Sequence, residues 1–246
     1  KPKSLLASRS PIQIGAELYG EASLSADIET ISLMLETLSV SGVSQITLDL
    51  GHVGIYRSLV EQAGLSDAAG KALFNALQRK AGSDIEIAIA EGIVDPQHAQ
   101  MMRALSSLNG DRRVLDRAKA ELANAPADVA SAIDQLIEVA DRITQSMPEV
   151  NLYFDLAELR GYHYHTGLVF AALAPGHGQA IANGGRYDDI GEVFGRARPA
   201  SGFNTDLKAL LHYLPKTVVE QRLSIAAPDC QSLSAADNGS LWKKVK

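Results

Sequence analysis

Hydrophobic positions recur along this chain with two periods, and the switches between them mark its elements. Over residues 11–19, Ile12, Ile14, Ala16 and Leu18 alternate with Gln13, Gly15, Glu17 and Tyr19. That is the period of a half-buried strand with one polar face, and Gly20 ends it. The period then lengthens: Ile28, Ile31, Leu35 and Leu38 predict a helix over 25–41, stopped by Gly42. Residues 45–50 read as the next strand, and a helix over about 53–63 stops at Gly64.

Residues 66–147 are alanine-rich and helical in period. Breaks at Gly82, Asp95-Pro96, Asn109-Gly110, Pro126 and Pro148 divide them into four or five short helices with no internal repeat. Their charges are spaced as on solvated faces, and the segment reads as a helical insertion between two parts of a sheet. The sheet resumes at 150–156. It runs into the stretch from Arg160 to Asp189, where two strand-like runs flank a turn at Ala174-Pro175-Gly176. A hairpin there brings Arg160, Tyr162, His163, Tyr164 and His165 toward Arg186, Tyr187, Asp188 and Asp189. Residues 203–213 read as a helix that closes the core, between Gly202 and Pro215. A strand over 222–227 and a short helix over 233–245 with a basic end follow. The predicted organisation is an α/β core over residues 1–215, with the start of a truncated C-terminal α/β module over 216–246.

A length of 246 residues is enough to bury a substantial core. The net charge of -6 argues against a broad nucleic-acid or anionic-membrane surface. No apolar run reaches membrane-spanning length. One cysteine, Cys230, excludes an internal disulfide framework and fits a reducing cytoplasm; without an activating neighbour it is read as structural. The chain opens at Lys1 with no methionine, so it reads as a piece of a longer protein.

The candidate chemistry sits on the first strand and in the hairpin. Gln13 and Glu17 share a strand face, which by pattern alone is more often a hydrogen-bonded surface than a site. Arg160 has Glu158 and Asp155 within reach as ion-pair partners; equally, its guanidinium fork suits a carboxylate ligand. Tyr164 and Tyr187 read as core rings or as pocket walls. His163 and His165 alternate on one strand face near His177, but a further spaced ligand is missing and no metal site is expected. Asp188 and Asp189 suit turn capping better than metal binding. The Gly-His-Gly sequence at 176–178 lacks the third glycine of a dinucleotide loop.

The runs RGYHYHTGLVF at 160–170 and GGRYD at 184–188 resemble the signature pair of histidyl-tRNA synthetases and their non-synthetase paralogues. The H-x-H and TGLVFAA variants look closest to the regulatory subunits of ATP phosphoribosyltransferase, which serve the first step of histidine biosynthesis. The resemblance spans about residues 4–214 and implies a class II synthetase-like, mainly antiparallel sheet with flanking helices. It also implies that Gln13, Glu17, Arg160, Tyr164, His165 and Tyr187 line a histidine pocket. Gln13–Glu17 match the family's Q-x-G-x-E strand, and Arg160 matches the arginine that grips the amino-acid carboxylate.

Departures from the synthetases concern position 165 and the nucleotide. His165 stands where they usually carry tyrosine. Ala209 stands where motif 3 carries an arginine, with Lys208 before it, and Ser10 replaces the usual acidic or amide residue of the motif 2 loop. A pocket that keeps amino-acid contacts and loses nucleotide contacts reads as a sensor. The resemblance therefore implies a non-catalytic regulatory subunit without cofactor or metal, cytoplasmic, that activates a short-form ATP phosphoribosyltransferase catalytic subunit and transmits inhibition by L-histidine. A homodimer within a hetero-oligomer is implied, with no nucleic acid and no membrane. An active histidyl-tRNA synthetase and a stand-alone amino-acid-binding module are the alternatives.

Overall fold

Each alternating run forms a strand, and the strands join into one sheet. A computed structural model describes residues 10–214 except 163, 190, 193 and 194. Seven strands lie within them: β1 (Gln13–Tyr19), β2 (Thr47–His52), β3 (Asn109–Gly110), β4 (Asn151–Asp155), β5 (Leu168–Leu173), β6 (Ala182–Arg186) and β7 (Ala200–Asp206). Their order is β1-β7-β6-β5-β2-β4-β3. Only β2 and β4 run parallel; every other neighbouring pair is antiparallel. The expected mixed, mainly antiparallel α/β fold is what the chain adopts.

The parallel pair accounts for the helical segment. Two parallel neighbours cannot be joined by a tight turn and need a long crossover. Here α2 (Val53–Gln62), α3 (Asp67–Gln78), α4 (Gly82–Gly92), α5 (Pro96–Ser107), α6 (Arg113–Glu121) and α7 (Ala127–Ser146) all lie between β2 and β4. The segment is thus a crossover whose helices share the sheet's core, rather than an appendage. Five helices fall within 66–147, but α7 is 20 residues long and not short. Gly82 opens α4 instead of breaking a helix, and the break falls at Lys80, whose φ is 50°. Asp95 caps α5 by accepting from the backbone N–H groups of Gln97 and His98, ahead of Pro96. Asn109 and Gly110, read as a break, also pair with β4 as the sheet's edge strand.

Helix α1 (Leu24–Val40) buries Ile31, Met34, Leu35 and Leu38, and Gly42 follows it at φ 85°. With Leu136, Ala140 and Ile143 of α7, these side chains join Leu48, Leu50, Phe154, Phe170 and Phe203 from the sheet in one apolar cluster. Truncating one such leucine to alanine costs about 2–5 kcal/mol. The opposite face of β1 to β2 carries the polar row that includes Gln13 and Glu17.

Three expectations are corrected. Residues 203–213 are not one helix: β7 runs to Asp206 and α8 (Leu207–Leu210) is a single turn, started by Asp206 accepting from the Lys208 N–H. Phe203, Leu207, Leu210 and Leu211 have helical spacing, but Ala200–Asp206 is held as strand on both sides, by β1 and by β6. Ile12 lies before β1 and is half exposed. Residue 164 lies in a turn and residue 165 in no strand, so His165 is not on a strand face; His163 is outside the described residues. The strand and helix expected at 222–227 and 233–245, the module over 216–246 and Cys230 also fall outside them.

Candidate ligand-binding site

Cross-strand partners in a sheet project to the same side, so register defines the site floor. One row runs Glu17, Gly202, Gly185, Val169 and Gly51, from β1 to β2. The row beside it runs Gly15, Asn204, Asn183, Ala171 and Asp49. The first row is low because two glycines sit at its centre. A Cβ built on Gly202 would lie 1.7 Å from Glu17 Oε2, so the Glu17 carboxylate leans inward over β7. A Cβ on Gly185 would lie 2.7 Å from the His165 Nδ1.

The wall above this floor is the loop that follows Arg160. Gly161, at φ 69°, turns it and accepts from the N–H groups of Tyr164 (2.7 Å) and His165 (2.8 Å). A side chain there would strike the His165 ring at 2.4 Å. Arg57 of α2 holds the loop from behind, donating to the carbonyl oxygens of Tyr162 and His165 and stacking on the Tyr162 ring. In front, Tyr164 and Tyr187 lie 4.8 Å apart between ring centroids, and His165 is 5.4 Å and 6.4 Å from them. Tyr187 is buried while Tyr164 stays 55% exposed, as a ring on a pocket rim does.

Charges at the site follow from burial. Burial pushes His165 below the usual imidazole range, which keeps it neutral at pH 7, and its Nδ1 lies 3.3 Å from the Arg186 carbonyl. Burial raises Glu17, and burial followed by the charge of Glu17 raises Tyr164. A carboxylate, a neutral imidazole and two rings thus face one shallow space. Such a set can accept a ligand N–H, donate to or accept from a ring nitrogen, and stack on a planar group.

The six predicted residues are not all gathered. Tyr164, His165 and Tyr187 form the ring cluster, with Glu17 beside it. Arg160 is half exposed and paired with Glu158, which accepts from its backbone N–H at 2.6 Å and its guanidinium at 3.1 Å. It shares with His165 a cavity of ≈ 110 Å³ bounded by Asp49, Glu158, Ala171 and Asn183. Gln13 lies on the same sheet face at the start of β1, on a separate hollow of ≈ 650 Å³ with His177, Asn204, Lys208, Ala209 and His212. Lys208 there turns its amino group to the Ser10 carbonyl.

Three residues in and around the site were not among those expected. Asp49 stands on the floor with Oδ1 buried and without a hydrogen-bond partner among the described residues. Burial raises its carboxyl to about 6, and the nearby charges of Glu158 and Asp155 add to the shift. Its signal was available: a carboxylate at the polar position of an alternating strand, like Glu17. Asp27 of α1 takes the guanidinium of Arg186 at 2.9 Å on the helical face of the sheet. Arg186 therefore points away from the site it precedes. Thr166 closes the same network: it donates to Asp188 Oδ2 and accepts from the Asp188 N–H, both at 3.0 Å, so Asp188 serves the turn as expected. Among the described residues no group of three or more His, Cys, Asp or Glu is arranged to hold a metal.

Known proteins resemble this chain over the same span. The family model described as histidyl-tRNA synthetase matches residues 1–210. A protein of Stutzerimonas stutzeri named ATP phosphoribosyltransferase regulatory subunit is 54% identical over 246 residues; the match covers all of this chain and 60% of that relative. A Bacillus halodurans structure described as an ATP phosphoribosyltransferase regulatory subunit/histidyl-tRNA synthetase superposes with TM-score 0.74 at 25% identity, covering 82% of this chain and 53% of that one. A Thermotoga maritima ATP phosphoribosyl transferase complex shares the fold, with TM-score 0.62 at 18% identity over 80% of this chain and 66% of that one.

Proposed function

This chain belongs to the histidyl-tRNA synthetase family, and from that premise we propose that it is part of a regulatory subunit of ATP phosphoribosyltransferase. It acts without catalysis of its own, in the first step of histidine biosynthesis. The observation that carries the reading is the 54% identity, over the whole of this chain, to a relative of that name. The chain spans 60% of that relative's length. The site chemistry agrees. Glu17, Tyr164, His165 and Tyr187 offer acceptors and rings that suit an imidazole, and Arg160 offers a fork for a carboxylate. In the hollow beside Gln13, Ala209 supplies no charge and Lys208 is engaged with Ser10. Adenylation needs fixed positive charge on phosphoryl oxygens, and one missing contact of that kind costs about 3–4 kcal/mol.

L-Histidine is the effector in this reading, and a short-form catalytic subunit in the cytoplasm is the partner. No helix among the described residues is long and apolar enough to cross a membrane. Gripping a carboxylate requires Arg160 to leave Glu158 for the ligand. Calorimetry with the full-length protein should show L-histidine preferred over other amino acids, with Arg160→Ala weakening it by about 2–5 kcal/mol. Tighter binding of a different amino acid would remove histidine as the effector. Histidine-dependent exchange of pyrophosphate into ATP at ordinary synthetase rates would favour a working synthetase instead.

A further inference from the structure

A second cavity, of ≈ 380 Å³, opens between α2, α3 and the ring of Tyr162. It shares no lining residue with the cavity beside Arg160. Three mutually inclined rings form its wall. Tyr162 lies 5.5 Å from Tyr56 and 5.1 Å from Phe74 between centroids, at interplanar angles of 76° and 50°. The Tyr56 hydroxyl donates to the Gly70 carbonyl at 2.8 Å. Tyr56 is buried, whereas Phe74 and Tyr162 are half-buried and leave ring surface on the cavity. Gly70 lines the cavity from inside α3, where glycine is less favourable than alanine. Packing does not require it: a Cβ built there meets only Val60 Cγ1, at an ordinary 3.6 Å. What the glycine does is keep the cavity wide.

The rim carries Asp67 and Lys71, both exposed and neither in an ion pair among the described residues. The surroundings are positive on balance. Arg57 stands 5.3 Å over the Tyr162 ring, Lys71 is at the mouth, and α3 turns the positive end of its dipole toward its start at Asp67. One carboxylate opposes them. A ring that already faces a guanidinium gains little from a second cation but still stacks on a planar group.

We propose that this cavity is a second ligand site, for a planar aromatic group that carries a carboxylate or a phosphate, with its ring on Phe74 and Tyr162 and its anion on Lys71. The size fits, since small-molecule sites are largely apolar hollows of about 300–1,000 Å³ with a few polar groups. Its effect follows from Tyr162. That residue belongs to the loop that walls the amino-acid site, and Arg57 already ties its carbonyl and that of His165 to α2. A ligand packed on the Tyr162 ring braces the loop further, so it and the amino acid each tighten the other's binding. This coupling rests on the reading of the first site as an amino-acid pocket; the second site does not.

The test is calorimetry on the full-length protein with three probes of one ring system: 2-naphthyl phosphate, 2-naphthylacetate and 2-naphthylmethylamine. At least one anion should bind, with the amine at least tenfold weaker. Whichever anion is tighter identifies the ligand as an aromatic phosphate or an aromatic acid. Gly70→Leu, which fills the cavity, should abolish binding, with circular dichroism checking the fold. Lys71→Gln should weaken the anion at least threefold and Asp67→Asn should strengthen it; opposite responses from two exposed positions cannot come from unfolding. Arg160→Ala should leave the anion within twofold of wild type, and saturating L-histidine should tighten it. Displacement by histidine, or loss in Arg160→Ala, would put the probe in the amino-acid site and overturn the inference. So would an amine bound as well as the anions, or no binding of either anion by wild type. An anion affinity that histidine leaves unchanged would overturn the coupling. Wild type that binds the anion but not histidine would leave the second site standing and overturn the amino-acid reading.

Discussion

Arg186 and Asp27 are 159 positions apart in sequence and meet at 2.9 Å with both side chains buried. The contact joins the end of the hairpin to the start of α1, and the same guanidinium also donates to the carbonyls of Ser23 and Glu21. One residue along, Tyr187 turns to the opposite face and joins the ring cluster. Burial raises Asp27 and opposes its ionisation, while Arg186 favours it. Breaking such a pair from one side strands a buried charge and costs about 3–5 kcal/mol. Asp27→Ala or Arg186→Ala should each lose that much in urea denaturation. The double change Asp27→Leu with Arg186→Met should lose clearly less than the two single losses summed. Additive losses would show that the two groups do not act as a pair.

The glycines at the centre of the floor should respond differently to the same added methyl. At Gly202 the obstacle is the far end of the Glu17 side chain, which can swing away. At Gly185 it includes the Leu168 carbonyl oxygen, 2.7 Å away, which is backbone and cannot. Gly202→Ala should therefore change stability by less than about 1 kcal/mol yet weaken histidine binding, because Glu17 is displaced. Gly185→Ala should cost about 1–3 kcal/mol, the usual range for overpacking. Thermal melts and calorimetry on both variants decide it, and unchanged histidine affinity in Gly202→Ala would remove Glu17 from the ligand.

Lys80 occupies a position that favours glycine. It follows α3 in the left-handed region, at φ 50°, where a side chain costs about 1 kcal/mol. Its amino group reaches Asp155, a contact that is half exposed on the lysine side and worth about 0–1 kcal/mol. Lys80→Ala keeps the strain and loses the contact, whereas Lys80→Gly loses both. The glycine variant should be more stable than the alanine variant by about 1 kcal/mol. Equal melting temperatures would mean the backbone relaxes at this turn.

Asp49 makes the fold sensitive to pH. Its carboxyl rises from 3.8 to about 6 on folding, so the folded state holds that proton more tightly than the unfolded chain. Between about pH 4 and pH 6 the unfolded state gives up the proton first. This group's contribution therefore favours folding at the acid end and is lost as pH rises. The loss is about 2–3 kcal/mol after allowance for partial exposure. Asp49→Asn should be more stable than wild type at pH 7 and close to it at pH 4. Denaturant titrations at the two pH values check this, and an equal difference at both would show that the carboxyl is not perturbed.

Much of the core was legible in the sequence because its signals are local. The alternation of β1, the helical spacing and glycine stop of α1, and the hairpin turn at Gly176 each depend on neighbours a few residues away. The failure at 203–213 has the same origin. A local helical spacing was present, but two strands distant in sequence claimed those residues. Asp27 and Arg186 could not be paired from sequence, since only the sheet order brings α1 beside β6. Arg160 was legible as a functional residue and as an ion-pair member. The structure shows the second state, with Glu158 as the partner, and the first is reached only by exchanging that partner for a ligand.

The regulatory reading is tested most directly by the turnover of a short-form ATP phosphoribosyltransferase catalytic subunit, measured with and without the full-length protein across a titration of L-histidine. The rate should rise when the protein is added and fall progressively as histidine fills the site, with coupling of about 1–3 kcal/mol. Arg160→Ala should retain the activation and shift the histidine response to higher concentration. A catalytic subunit whose rate is the same with and without the protein, at every histidine concentration, would contradict it.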